Sequence, residues 1–120
     1  MNPKTLHHIK KTACEAAVEA GKAILALQDT FQITTKMDGS PVTTADEAAH
    51  RLLSQRLSPF GFRLISEEDT PEDLSKPLEP NAYSWLIDPL DGTKNFIERT
   101  GDFTVNIGLV YQHQPVLGIV

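Results

Sequence analysis

Apolar residues recur through the first part of the chain at Leu6, Ile9, Ala13, Ala16, Ala17, Ala20, Ile24 and Leu27. Steps of three and four lay a single stripe along a helix. The spacing therefore predicts an amphipathic helix from about Lys4 to Leu27, with Lys11, Glu15, Glu19 and Lys22 on its other faces. Gly21 within it reads as a close-packing position, and Cys14 as a helix-packing residue. Between Gln32 and Thr43, Asp38-Gly39-Ser40-Pro41 is a turn signal flanked by short β-prone pieces, which predicts a hairpin or a mobile loop. A second helix is expected to start near Thr44, with Glu47 completing a capping box three residues later. Ala45, Ala48, Ala49, Leu52, Leu53 and Leu57 supply its apolar face, and Ser58-Pro59-Phe60-Gly61 ends it.

The pattern then shortens to strand length. Arg63-Leu64-Ile65-Ser66 reads as one strand, and Tyr83-Ser84-Trp85-Leu86-Ile87 as another that ends at Asp88. Between them Pro71, Pro77 and Pro80 predict a loop. Phe103, Val105, Ile107 and Leu109 alternate along a third strand (Phe103–Val110), which pairs with Val116–Val120 across Tyr111–Pro115. That last apolar run has no polar residue after it, which predicts a strand belonging to something longer.

Composition narrows the class. The 120 residues are 40% hydrophobic and 22% charged, as in an ordinary globular domain rather than a disordered, collagen-like or disulfide-built chain. No apolar run approaches the roughly 20 residues of a membrane span, and the first residues lack the apolar core of a secretory signal. A single cysteine forms no internal bridge, in agreement with a cytoplasmic setting. His7, His8, His50 and His113 read as surface polar groups. Sixteen acids against eleven bases give a net charge of −5. Residues 67 to 80 hold six acids and one base, so that stretch carries the whole imbalance and the remainder is neutral. A neutral body with one acidic stretch argues against a nucleic-acid partner, which needs a basic face.

Three segments can carry chemistry. In Asp88-Pro89-Leu90-Asp91-Gly92-Thr93-Lys94, a strand delivers Asp88 at its C-terminal end. Pro89 then sets a defined exit path that can aim the Leu90 carbonyl and the Asp91 carboxylate back toward Asp88. Gly92 permits close backbone approach, and Thr93 can open a helical turn whose free amides face an anion. These oxygens suit Mg²⁺ bridged to a phosphate. The same residues also suit a plain turn. An EF-hand loop does not fit: the acids stand three apart, and the twelfth position from Asp88 is Arg99. Asp-x-Asp-Gly-Thr of the haloacid-dehalogenase phosphatases has one residue fewer between its aspartates. Ser66-Glu67-Glu68-Asp69 on its own reads as solvated loop charge. Lys36 to Asp46 is fully explained by a hairpin and a helix start, with Asp46 favoured in the first turn by the helix dipole.

Taken in order, Asp38-Gly39-Ser40-Pro41-Val42-Thr43-Thr44-Ala45-Asp46, Ser66-Glu67-Glu68 and Trp85-Leu86-Ile87-Asp88-Pro89-Leu90-Asp91-Gly92-Thr93-Lys94 resemble the inositol-monophosphatase superfamily. These are Mg²⁺-dependent, lithium-sensitive phosphomonoesterases, and the resemblance covers nearly the whole chain. Lys94, Phe103-Thr104-Val105-Asn106-Ile107 and Pro115-Val116-Leu117-Gly118 look most like the 3′(2′),5′-bisphosphate nucleotidases of the CysQ type. Asn95-Phe96 departs from that subgroup's usual Glu-Phe and follows the inositol-phosphatase habit.

The resemblance implies an α+β fold, a layered α/β/α/β sandwich. Residues 1–120 would be the N-terminal part of one domain, with two long helices on a largely antiparallel sheet. The C-terminal half, absent here, supplies a further Asp to the second metal and most contacts to the substrate beyond its phosphate. By the same resemblance Glu67, Asp88 and the Leu90 carbonyl hold one Mg²⁺, Asp88 and Asp91 a second, with two or three ions in all. Glu67, Leu90, Asp91, Gly92 and Thr93 form the substrate site, the amides of Gly92 and Thr93 binding the scissile phosphate. Thr93 paired with Asp46, together with Glu67, orients and deprotonates the attacking water. The implied partner is a small-molecule phosphate ester, first adenosine 3′,5′-bisphosphate in sulfur assimilation. The alternatives are inositol 1-phosphate or a sugar phosphate, or a non-catalytic fragment that binds metal or phosphate. Relatives are often dimers, which leaves a homodimer open, and some attach peripherally to the inner face of the cell membrane.

Overall fold

The computed structural model describes residues 1–120. Helix α1 (Pro3–Ala26) begins where the Asn2 side chain accepts the Thr5 amide hydrogen at 2.8 Å and Pro3 takes the first helical position. Its buried stripe is Ile9, Ala13, Ala16, Ala20 and Ile24, the expected face. Two details differ from expectation. A Cβ added at Gly21 would meet nothing within 4 Å, so no close packing requires a glycine there. Cys14 is exposed, because its one-residue offset from Ala13 turns it off the stripe.

The turn at Asp38 closes a hairpin of β1 (Ile33–Thr35) and β2 (Pro41–Thr43), paired antiparallel from Ile33↔Thr43 to Thr35↔Pro41. Helix α2 (Thr44–Leu57) follows without a break. Its capping box lies one residue earlier than expected: the cap is Thr43, and its partner is Asp46 rather than Glu47. Thr43 is fixed in the last strand position, with extended backbone and a buried side chain, so it is the residue that can fold over the helix end. Ala45, Ala49, Leu53 and Leu57 are buried, and Ser58–Phe60 forms a short 3-10 turn before Gly61 reverses the chain at φ +73°.

A four-stranded sheet follows, ordered β3 (Arg63–Ser66), β4 (Ser84–Asp91), β5 (Thr104–Tyr111) and β6 (Gln114–Ile119). The β3–β4 pair is parallel and the other two pairs are antiparallel. Both long helices pack against one face of this sheet, which meets the α+β expectation. Trp85, Ile87, Val105, Ile107 and Leu109 join their small-residue stripes in one core. Leu86, between Trp85 and Ile87, is exposed on the opposite face, as a period of two requires.

Three boundaries moved. β4 continues past Asp88 to Asp91. The β5–β6 connection tightens to Gln112-His113, both at positive φ, the geometry of a two-residue hairpin turn. The acidic loop contains one helical turn, α3 (Pro71–Leu74), which Thr70 caps and Pro71 starts; a proline at the first helical position initiates rather than breaks. Since Gly21 meets no neighbour, Gly21→Ala is expected to raise stability by roughly 0.5–1 kcal/mol through helix propensity, read from the urea midpoint.

Candidate active site

The site forms where β2, β3 and β4 deliver their ends to the start of α2. On β4 the register with β5 shifts between Asp88↔Asn106 and Asp91↔Thr104, so Pro89 and Leu90 together oppose Val105 alone. This is a β-bulge. In a regular strand residues three apart point to opposite faces; the extra residue restores the parity, and Asp88 and Asp91 turn to the same side. Pro89 is compatible with this central strand because the bulge leaves no ladder bond for a missing N–H to break. Pro89 and Leu90 are both buried, the local mark of the broken alternation.

After the bulge Gly92 adopts φ +94° and caps α4 (Thr93–Ile97). A side chain is excluded there: a Cβ would stand 2.7 Å from the Asp102 carbonyl oxygen. That carbonyl also accepts the Asn95 amide at 3.0 Å. The first helical bond runs from Phe96 N to the Gly92 carbonyl at 2.9 Å, leaving the amides of Thr93, Lys94 and Asn95 outside the helical ladder.

Asp46 connects these ends. Its Oδ2 accepts the Thr43 backbone amide at 2.8 Å and the Thr43 hydroxyl at 2.6 Å, and its Oδ1 accepts the Thr93 hydroxyl at 2.8 Å. Only 2% of Asp46 is exposed, so three donors take the place of water around a buried carboxylate. The Thr93 hydroxyl also lies 3.3 Å from the Leu90 carbonyl oxygen; with one proton to give, it donates to the nearer carboxylate.

Asp88 is half-buried, and its carboxyl is pushed up to about 6, first by burial and then by the negative charges of Glu67, Asp91, Glu68 and Asp46. Glu67 is exposed at the end of β3, and the parallel pairing of β3 with β4 sets it beside Asp88. No three Asp, Glu, His or Cys side chains close into a ready metal cage. Three partners were not visible as such in the sequence. The Asn106 amide donates to Asp91 at 3.3 Å from the strand position facing Asp88. Lys36 pairs with Glu68 at 3.3 Å, and the His50 ring meets the Ser66 hydroxyl at 3.1 Å. Glu68 and His50 are therefore engaged rather than simply solvated. Only the register of Asn106 could have been read ahead, from the alternation of β5.

The sequence profile of the inositol monophosphatase family matches residues 5–120. The chain belongs to the inositol monophosphatase family. Among curated members it is 44% identical to the 3′(2′),5′-bisphosphate nucleotidase CysQ of Salmonella typhimurium over 112 residues, 89% of this chain and 45% of that protein. It is 42% identical over the same span to the Escherichia coli K12 protein of that name, again 45% of its length. Of solved family structures, CysQ from Bacteroides thetaiotaomicron is 37% identical with a TM-score of 0.70, covering 91% of this chain and 40% of that one. Staphylococcal inositol monophosphatase-1 is 26% identical with a TM-score of 0.82, covering 98% and 44%. The chain thus spans about half the length of the family members it matches.

Two outcomes are expected from this geometry. Gly92→Ala should cost more than the roughly 1–2 kcal/mol of a left-handed non-glycine residue, because the new methyl also meets the Asp102 carbonyl; denaturant unfolding measures it. The raised Asp88 pKa means that the folded chain binds more protons than the unfolded one between about pH 4 and 6. In chelator, stability should therefore fall as pH rises through that window and level off above it. Asp88→Asn should flatten this slope by about 1 kcal/mol, a value reduced for the screening of a part-exposed group.

Proposed function

We propose that residues 1–120 are the N-terminal part of a single phosphatase domain, which hydrolyses the 3′-phosphate of adenosine 3′,5′-bisphosphate to AMP and phosphate. The observation that carries this reading is the convergence of Asp88 with four further negative charges beside the open amides of α4. Carboxylates held together at this cost fit a site for a hard cation. The donor set is all oxygen: Glu67, Asp88, Asp91 and the Leu90 carbonyl. Mg²⁺ is a hard cation that takes oxygen ligands, which this donor set supplies. When bound, Mg²⁺ supplies Lewis-acid activation of water and neutralises phosphate charge.

The chain's own residues do the rest. Asp46 takes the Thr93 hydroxyl proton in its hydrogen bond, so the Thr93 oxygen turns its lone pairs outward to receive an O–H of the attacking water. Glu67, exposed at the rim, is the base that accepts the water's proton. The Thr93 amide, outside the helical ladder at the start of α4, and the Gly92 amide just before it would bind the phosphate oxygens, where backbone donors cost no reorganisation. The bisphosphate preference is supported by identities of 42–44% to nucleotidases of the CysQ name.

A second reading, an inositol or sugar phosphatase, is favoured by Asn95 at the position where the nucleotidase branch usually has Glu. Phosphate release by the full-length protein from adenosine 3′,5′-bisphosphate and from inositol 1-phosphate, with Mg²⁺ and with chelator, separates the two. Faster turnover of the nucleotide and dependence on Mg²⁺ are expected. Asp88→Asn should lower the rate by about 100-fold or more, beyond what the loss of an outer-sphere partner does. An unchanged rate would remove Asp88 from the metal site.

A further inference from the structure

Asp46 and His50 lie one turn apart on α2, and positions four apart share a helix face. Asp46 reaches the segment after β4 through Thr93. His50 reaches the end of β3: its Nδ1 is 3.1 Å from the Ser66 hydroxyl. Ser66 is 1% exposed and immediately precedes Glu67. Its hydroxyl oxygen already accepts the Glu68 amide at 3.2 Å, and its own amide donates to Asp69 at 3.0 Å. A hydroxyl carries one proton, and leaving that proton unpaired in a buried position costs about 1–3 kcal/mol. The acceptor at hand is His50 Nδ1, and accepting there leaves Nε2 as the ring nitrogen that carries a hydrogen.

We propose that His50 is a positioning residue for Glu67: it accepts the Ser66 hydroxyl proton and ties the turn that carries Glu67 to the helix that carries Asp46. One helix face then holds both halves of the site in register, the β4 end through Asp46 and the β3 end through His50. Glu67 is exposed and has no partner of its own to hold it, so its backbone must be held instead. The Lys36–Glu68 pair restrains the same turn from its other side, but an ion pair between two part-exposed side chains is a weak tether. This inference rests on the proposed role of Glu67 as ligand and base.

The test uses the full-length protein with His50→Ala and His50→Asn. Asn places an acceptor near the Nδ1 position and has nearly the helix propensity of His. Two readouts are taken: amide hydrogen exchange at Glu67 and Glu68 in chelator, and Mg²⁺ affinity by calorimetry. His50→Ala should speed exchange at these amides, leave exchange at Thr93 unchanged, and weaken Mg²⁺ binding by about tenfold, the low end for an outer-sphere partner. His50→Asn should recover most of both effects. Unchanged exchange in His50→Ala overturns the tie, and faster exchange with unchanged Mg²⁺ affinity overturns its service to Glu67. A variant His50→Asn as impaired as His50→Ala overturns the acceptor role. If the unsubstituted protein binds no Mg²⁺, the metal reading fails, and the exchange data still decide whether His50 holds the turn.

Discussion

Asp46 holds a negative charge in a place nearly closed to water, and the arrangement that permits this also organises the region around it. Two donors from Thr43 complete the cap of α2, and the hydroxyl of Thr93 arrives from 47 residues farther along the chain. A buried carboxylate that lost one of these would be left partly unsolvated, at a cost of a few kcal/mol. The cap, the strand that delivers Thr43 and the segment after the bulge are therefore interdependent. A local feature of helix initiation doubles as the long-range link across the site.

The bulge at Pro89-Leu90 solves a second problem. Carboxylates three apart on a strand would lie on opposite faces of the sheet, one toward the helices and one away. One extra residue brings both to the same edge, and Gly92 then lets the chain pass close beneath the Asp102 carbonyl into α4. The electrostatic consequence is the upward push on Asp88, which gathers repulsion from four neighbouring acids. Such repulsion opposes folding, in keeping with the proposed cation site. Asn106 and Lys36 offset part of it by donating to Asp91 and Glu68.

Much of the fold was legible in advance because it depends on short-range pattern. The α1 stripe, the turn at Asp38-Gly39, the strand at Arg63–Ser66 and the alternation of β5 all follow from periods of 3.6 and 2. The capping box was displaced by one residue because Thr43 and Thr44 are chemically equivalent candidates, and only pairing with β1 decides which stays extended. At Gly21, a residue unfavourable inside a helix suggests crowding, and nothing local reveals that its neighbourhood is empty.

The amino-acid order by itself determined which residue types stand at which strand ends: Glu67 after β3, Asp88 and Asp91 around Pro89, Gly92 before a helical turn. Those follow from turn chemistry and backbone sterics, which act over a few residues. Tertiary structure alone decided which of them meet. The parallel pairing of β3 with β4 sets Glu67 near Asp88, the bulge sets Asp91 on the same side, and burial against α2 joins Asp46 to Thr93 and His50 to Ser66. Hydrogen bonds between residues 16 and 47 positions apart leave no periodic trace in a sequence, because their geometry is set by how the helix layer lies on the sheet.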